Sequence, residues 1–243
     1  MLKTAYIGCS GCYYREWKGL FYPEDIPASK WLDYYCLNFS TVEINASFYK
    51  FPELKGMQAW YKKTPPEFAF TVKAFKGITH FKKFNGVAEE IKKFYDVISE
   101  GLQEKLKSVL FQLPPSLSYT EEILQMILES FDLRYTNILE CRHISWWNVE
   151  VFKLLKKHKI VFCNISHPVL PEEFIDTGDI CYLRFHGNKE LYKSNYSEKE
   201  LQSWADQVEA SKTKKLFAYF NNTWGGNAIG NCLTFEKMLG SKS

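Results

Sequence analysis

Eight short runs rich in β-branched and aromatic residues recur along the chain with helix-patterned segments between them, and this alternation limits the possible folds more than any other feature. The runs are TAYIGCS from Thr4, TVEIN from Thr41, FAFTVKA from Phe68, SVLFQL from Ser108, NILECR from Asn137, IVFCNI from Ile160, CYLRFH from Cys181 and LFAYFN from Leu216. Eight strands alternating with crossovers in 243 residues predict an α/β fold, a single (β/α)8 TIM-type barrel spanning residues 1–243. An open doubly wound sheet is the competitor, but GCSGCYY after the first run has the wrong spacing for a dinucleotide-binding glycine loop. Helix starts are expected at Ser29, Asn85, Thr120 and Ser197, each preceding an amphipathic segment. Residues 165–179, ISHPVLPEEFIDTGD, contain two prolines and room for little more than one turn, so the helix between strands six and seven is expected to be reduced.

Period two sorts the strand residues by face. In CYLRFH, Tyr182, Arg184 and His186 share one face while Cys181, Leu183 and Phe185 share the other. Across the runs the same rule groups Glu43 with Thr41 and Asn45, Thr71 with Lys73, Leu110 with Gln112, Glu140 with Arg142, Phe162 with Asn164, and Tyr219 with Asn221. Polar groups therefore collect at the C-terminal ends of the runs, which is where barrels of this type carry their sites. Lys73, Arg142 and Arg184 face Glu43 and Glu140, a surplus of one positive charge, so the expected pocket favours an anion. A plain ion network in which the two carboxylates only neutralise the arginines is the competing reading.

Composition narrows the setting. No apolar run is long enough to cross a bilayer and MLKTAYIGCS has no secretory pattern, so a cytoplasmic protein without membrane partners is expected. Seven cysteines, an odd number set among apparent core strands, suit reduced thiols better than a disulfide framework. A formal charge of +3 is too mild to announce nucleic acid by itself.

The motifs IGCSGCYYREWKGLFYP, VEINASFYKFP, FAFTVKAFKGITH, VLFQLPP, LECRHISWW, YLRFHG and YFNNTWGGNAIGN, in this order, resemble those of the YecE-like family, domain of unknown function seventy-two. The likeness runs nearly end to end and implies a TIM-type barrel without fixing an activity. It adds His80, His143, Trp146 and Asn222 to the site residues marked by strand pattern: Glu43, Asn45, Lys73, Gln112, Glu140, Arg142, Arg184, His186 and Asn221.

Two functional readings follow. The first is a hydrolase for a phosphorylated or phosphodiester substrate, with Glu43, Glu140, His143 and His186 as catalytic candidates. Asn45, Lys73, His80, Gln112, Arg142, Trp146, Arg184, Asn221 and Asn222 would then bind the substrate. The second is a module that binds nucleic acid or another anion without turnover, using aromatics that follow the strands. No metal ligand set or cofactor is expected, because the chain lacks HExxH and multi-His patterns and three basic neighbours repel a cation.

Overall fold

The computed structural model describes residues 2–240. Among them the eight expected strands are present: β1 Thr4–Ser10, β2 Thr41–Ile44, β3 Ala69–Lys73, β4 Leu106–Gln112, β5 Asn137–Glu140, β6 Val161–Ser166, β7 Ile180–Phe185 and β8 Lys215–Phe220. They run in the order β1 to β8 as a closed parallel barrel. The helices are α1 Trp31–Tyr35, α2 Ala46–Tyr49, α3 Leu54–Lys63, α4 Ala88–Leu102, α5 Glu121–Ser130, α6 Val149–Lys157, α7 Glu198–Ala210 and α8 Asn227–Met238. Every residue of β2, β3, β5 and β6 is buried, as parallel strands covered on both faces require. No helix of the described residues is long and apolar enough to cross a membrane.

Packing groups the chain into two compact units, a terminal unit of Met1–Glu43 with Asn164–Ser243 and a middle unit of Ile44–Cys163. In the terminal unit β1 pairs with β8 from Thr4↔Lys215 to Cys9↔Phe220, and β7 pairs with β8 along its length. Gly8 is required by close approach, since a Cβ there would lie 2.4 Å from the Thr41 carbonyl oxygen. Tyr35 of α1 ties the same two strands, accepting from Cys9 N at 2.8 Å and donating to Thr41 O at 3.0 Å.

Between β6 and β7 no helix forms, in agreement with the prolines. The connection is held by Asn164, whose Oδ1 accepts from Ile175 N at 2.6 Å and whose Nδ2 donates to Ile175 O at 3.1 Å. One polar strand residue thus supplies both backbone bonds that a helix would have satisfied internally.

Helix starts follow local chemistry in part. Thr120 caps α5 and Ser197 forms a capping box with Glu200 at α7. Ser29 lies inside a 3-10 turn, Ala28–Lys30, ahead of α1 and caps nothing. Asn85 does not cap α4 either, because the helix begins at Ala88 after Val87. The cause is the preceding turn: Lys83 and Phe84 both have positive φ, 48° and 66°, which swings the Phe84 ring into the core and delays the helix. Such a conformation costs a non-glycine residue about 1–2 kcal/mol, and burying a phenylalanine contributes about 1.5–3 kcal/mol.

Candidate functional site

The terminal unit brings strand ends together through one buried carboxylate. Glu43, Arg184, Tyr182 and Ser10 are all essentially inaccessible. Glu43 Oε1 accepts from Arg184 Nη2 at 2.5 Å and from Ser10 Oγ at 2.7 Å, and its Oε2 accepts from Tyr182 OH at 2.6 Å. Both oxygens are thereby engaged, and the charge of Arg184 is met inside the protein. His186, also buried, stands 3.5 Å from Arg184 Nη1 through Nε2 and 3.0 Å from Asn221 Nδ2 through Nδ1. Burial, followed by the neighbouring Glu43 carboxylate, pushes the Tyr182 phenol well up, so it acts as a donor to that carboxylate.

Tyr182 is absent from the residues marked from sequence, although its position two residues before Arg184 places it on the same strand face. Asn222 is fully buried, and its Nδ2 donates to Ser194 O and Asn231 Oδ1, both at 2.8 Å. It fastens the end of β8 to α8 and to the loop after β7. Its Oδ1 is buried with no hydrogen-bond donor among the described residues.

The middle unit gathers a different set. Lys73 ends β3 with its Nζ 4.1 Å from the centroid of the Phe48 ring, and the same ring meets His80 edge-on at 4.9 Å. His80 sits in a π-helical turn, Gly77–Phe81, and its Nδ1 lies 2.8 Å from Thr79 Oγ1. Turns of this rare kind occur frequently at functional positions. Half-buried, the imidazole has its pKa pushed down from 6.5 to about 4, by desolvation first and then by Lys73, with Arg142 and Lys76 adding and Glu140 opposing. Lys73, Arg142, Lys76 and Glu140 thus act on an imidazole that is neutral at pH 7.

At the end of β5, Arg142 Nε donates to Glu140 Oε1 in a close ion pair. Gln112, half-buried, pairs in register with Glu140 from β4. Asn45, at the start of α2, has a buried Oδ1 with no hydrogen-bond donor among the described residues.

Two further marked residues of this unit flank the 3-10 turn after β5. Trp146 is fully buried, donates from Nε1 to Leu117 O at 2.8 Å and meets the Tyr119 ring at 5.5 Å, so its ring is not presented to a ligand. His143 precedes the 3-10 turn Ile144–Trp146 and accepts there from Ser145 N at 3.3 Å, while Ser145 Oγ lies 2.8 Å from its Nδ1. Its Nδ1 is engaged in fixing that turn, and the ring is half-buried.

All seven cysteines are free thiols, and all but Cys36 are buried. Cys12 of the GCSGC motif is pushed well up by burial, then by Cys36 and Cys9, which is opposite to the depressed value of a reactive thiolate.

The model of the family described as "Protein of unknown function DUF72" matches residues 6–243. The UPF0759 protein YunF of Bacillus subtilis is 26% identical over 270 residues, covering 96% of this chain and 94% of that protein. The crystal structure of a DUF72 family protein from Thermotoga maritima is 34% identical, with a TM-score of 0.88, 98% of this chain covered and 100% of that one. A DUF72 family structure from Enterococcus faecalis, at 20% identity, shares the fold with a TM-score of 0.85 over 99% of this chain and 97% of that one.

Proposed function

The chain belongs to the DUF72 family, and from that premise we propose that it binds a phosphorylated or phosphodiester ligand at the strand ends of its middle unit and hydrolyses the phosphoester. The observation that carries this reading is that Lys73 and His80 meet the same Phe48 ring, with Arg142 and Lys76 near enough to depress the imidazole and Glu140 near enough to oppose them. Lysine and arginine are the residue types that hold phosphate oxygens, and a local cation excess draws an anion from solution.

His80 takes the proton-handling role that His143 and His186 held in the sequence-based reading. A bound phosphate brings negative charge beside Lys73 and His80, so it raises the His80 pKa from about 4 toward the ordinary range. The imidazole then becomes able to exchange a proton near neutrality, when substrate is present. Arg184 has no part in gripping phosphate here, since its guanidinium is buried against Glu43.

The test is thermal unfolding with and without inorganic phosphate, followed by turnover assays with aryl phosphomonoester and phosphodiester substrates. Saturation at 100 times Kd stabilises by about 2.7 kcal/mol, which raises Tm by roughly 5–11 °C for a chain of this size. Lys73→Met should abolish the rise and any turnover. A rise that survives in Lys73→Met, or no rise in the wild type, refutes the proposal.

A further inference from the structure

Two large aromatic side chains stand out in solvent beside the cation cluster. Tyr49, the last residue of α2, is 69% exposed, and Phe81, the last residue of the π-helical turn after β3, is 72% exposed. Between them stands Lys76, with its Nζ 5.6 Å from the Tyr49 centroid and 5.5 Å from the Phe81 centroid. The two rings thus flank one ammonium. Tyr49 also meets Phe48 edge-on at 5.1 Å, which connects the exposed pair to Lys73 and His80.

The segment that presents this surface is held in an unfavourable backbone shape. The turn closes through Lys82 N to Gly77 O and Phe84 N to Ile78 O, both at 3.0 Å, and is followed by the left-handed Lys83 and Phe84. Phe84 is buried as an anchor while Phe81, three residues earlier, is turned outward. A core purpose explains Phe84 and leaves Phe81 unexplained.

Of the other lysines here, Lys50 pairs with Glu53 at 2.6 Å and Lys82 with Glu90 at 2.8 Å on the open surface. Exposed pairs of this kind are weak and exchange readily for another anion.

We propose that Tyr49 and Phe81 are stacking platforms for the bases of a single-stranded nucleic acid, with Lys76 contacting the phosphate between them. This rests on the phosphate reading above, since it makes the bound phosphate part of a polynucleotide. Aromatic faces alternating with cations are the chemistry by which single strands are held without sequence preference, each base offering a π-face and each nucleotide one phosphate. Both rings lie within reach of one ammonium, so a single phosphate contact can serve the two nucleotides that the rings receive.

The experiment is fluorescence anisotropy with labelled oligothymidylate and oligouridylate of about 15 nucleotides, titrated at several salt concentrations. Wild type should bind with an affinity that falls as salt rises. Tyr49→Ala and Phe81→Ala should each weaken binding by about 5- to 150-fold. Lys76→Met should reduce the log–log salt slope by about one. Both ring positions are exposed, so these variants keep the fold, which circular dichroism and unchanged Tm verify.

The Tyr49→Ala, Phe81→Ala double variant should keep the Tm response to inorganic phosphate while losing the oligonucleotide. No oligonucleotide binding at low salt, or affinity unchanged in the ring variants, overturns this inference and leaves the phosphate reading standing. Loss of the phosphate response in wild type removes the phosphate reading instead. Ring-dependent binding to anionic phospholipid vesicles, with none to oligonucleotides, overturns the nucleic-acid assignment in favour of a membrane surface.

Discussion

Removing the charge of Glu43 tests whether the polar cluster of the terminal unit is structural. Glu43→Gln keeps the side-chain shape but leaves the Arg184 guanidinium buried without the Glu43 counter-charge, and alters the acceptors of Ser10 and Tyr182. Breaking a buried ion pair from one side costs about 3–5 kcal/mol, because the remaining charge stays desolvated. At about 2–4 °C per kcal/mol for a chain of this size, Tm should fall by roughly 6–20 °C. Arg184→Met should cost a similar amount, because it strands the Glu43 carboxylate in the interior. The double variant removes both charges, while the amide oxygen introduced by Glu43→Gln can still accept from Ser10 or Tyr182. It should therefore be less destabilised than the sum of the single variants by up to about 3 kcal/mol. The measurement is urea and thermal unfolding of all four proteins in one buffer. Strict additivity would falsify the reasoning, since it means that Glu43 and Arg184 do not act as a pair.

Two further outcomes are expected. Because the folded pKa of His80, about 4, lies below its ordinary 6.5, the unfolded chain binds more protons between those values. The contribution is fully present above about pH 6.5 and is lost as pH falls toward 4, so His80→Gln should flatten that limb of a Tm-against-pH curve; an identical curve would discredit the neutral-imidazole assignment. Gly8→Ala should destabilise by about 1–3 kcal/mol or more, because the new Cβ meets a backbone carbonyl at 2.4 Å that cannot turn aside; a neutral effect in urea unfolding would contradict the close approach of β1 and β2.

Periodicity carried the architecture. Eight runs bounded by turn signals correspond to eight strands, and the prolines of residues 165–179 mark the connection that lacks a helix. What failed was local: Ser29 and Asn85 look like caps in sequence, but a 3-10 turn and a strained buried phenylalanine, both set by tertiary packing, move the helix starts. Face alternation places Glu43, Arg184 and His186 on the polar side of their strands, yet it carries no information about who pairs with whom. The sequence-based surplus of positive charge counts Arg184 as available to a ligand, whereas the structure closes it on Glu43. Tyr182 is legible by the same alternation, but a tyrosine among apolar neighbours reads as core. Lys76, Tyr49 and Phe81 lie beyond the strands, where period two no longer applies and only the folded loops show that they share a surface.

The two arginine–glutamate pairs consequently divide in character. Arg184 and Glu43 are both sealed from water and bonded through Ser10 and Tyr182, an arrangement in which exchanging the carboxylate for a ligand would strand a charge in the interior. Glu140 is sealed too and Arg142 nearly so, but this pair stands at the end of β5 with Lys73, Lys76 and a half-buried His80 near enough to interact, cations that an incoming anion can meet. On the proposed reading, the middle unit serves ligand chemistry and the terminal unit cohesion. Substitutions should separate accordingly: at Glu43 or Arg184 stability falls while the phosphate response of the folded protein is kept, and at Lys73 the phosphate response is lost.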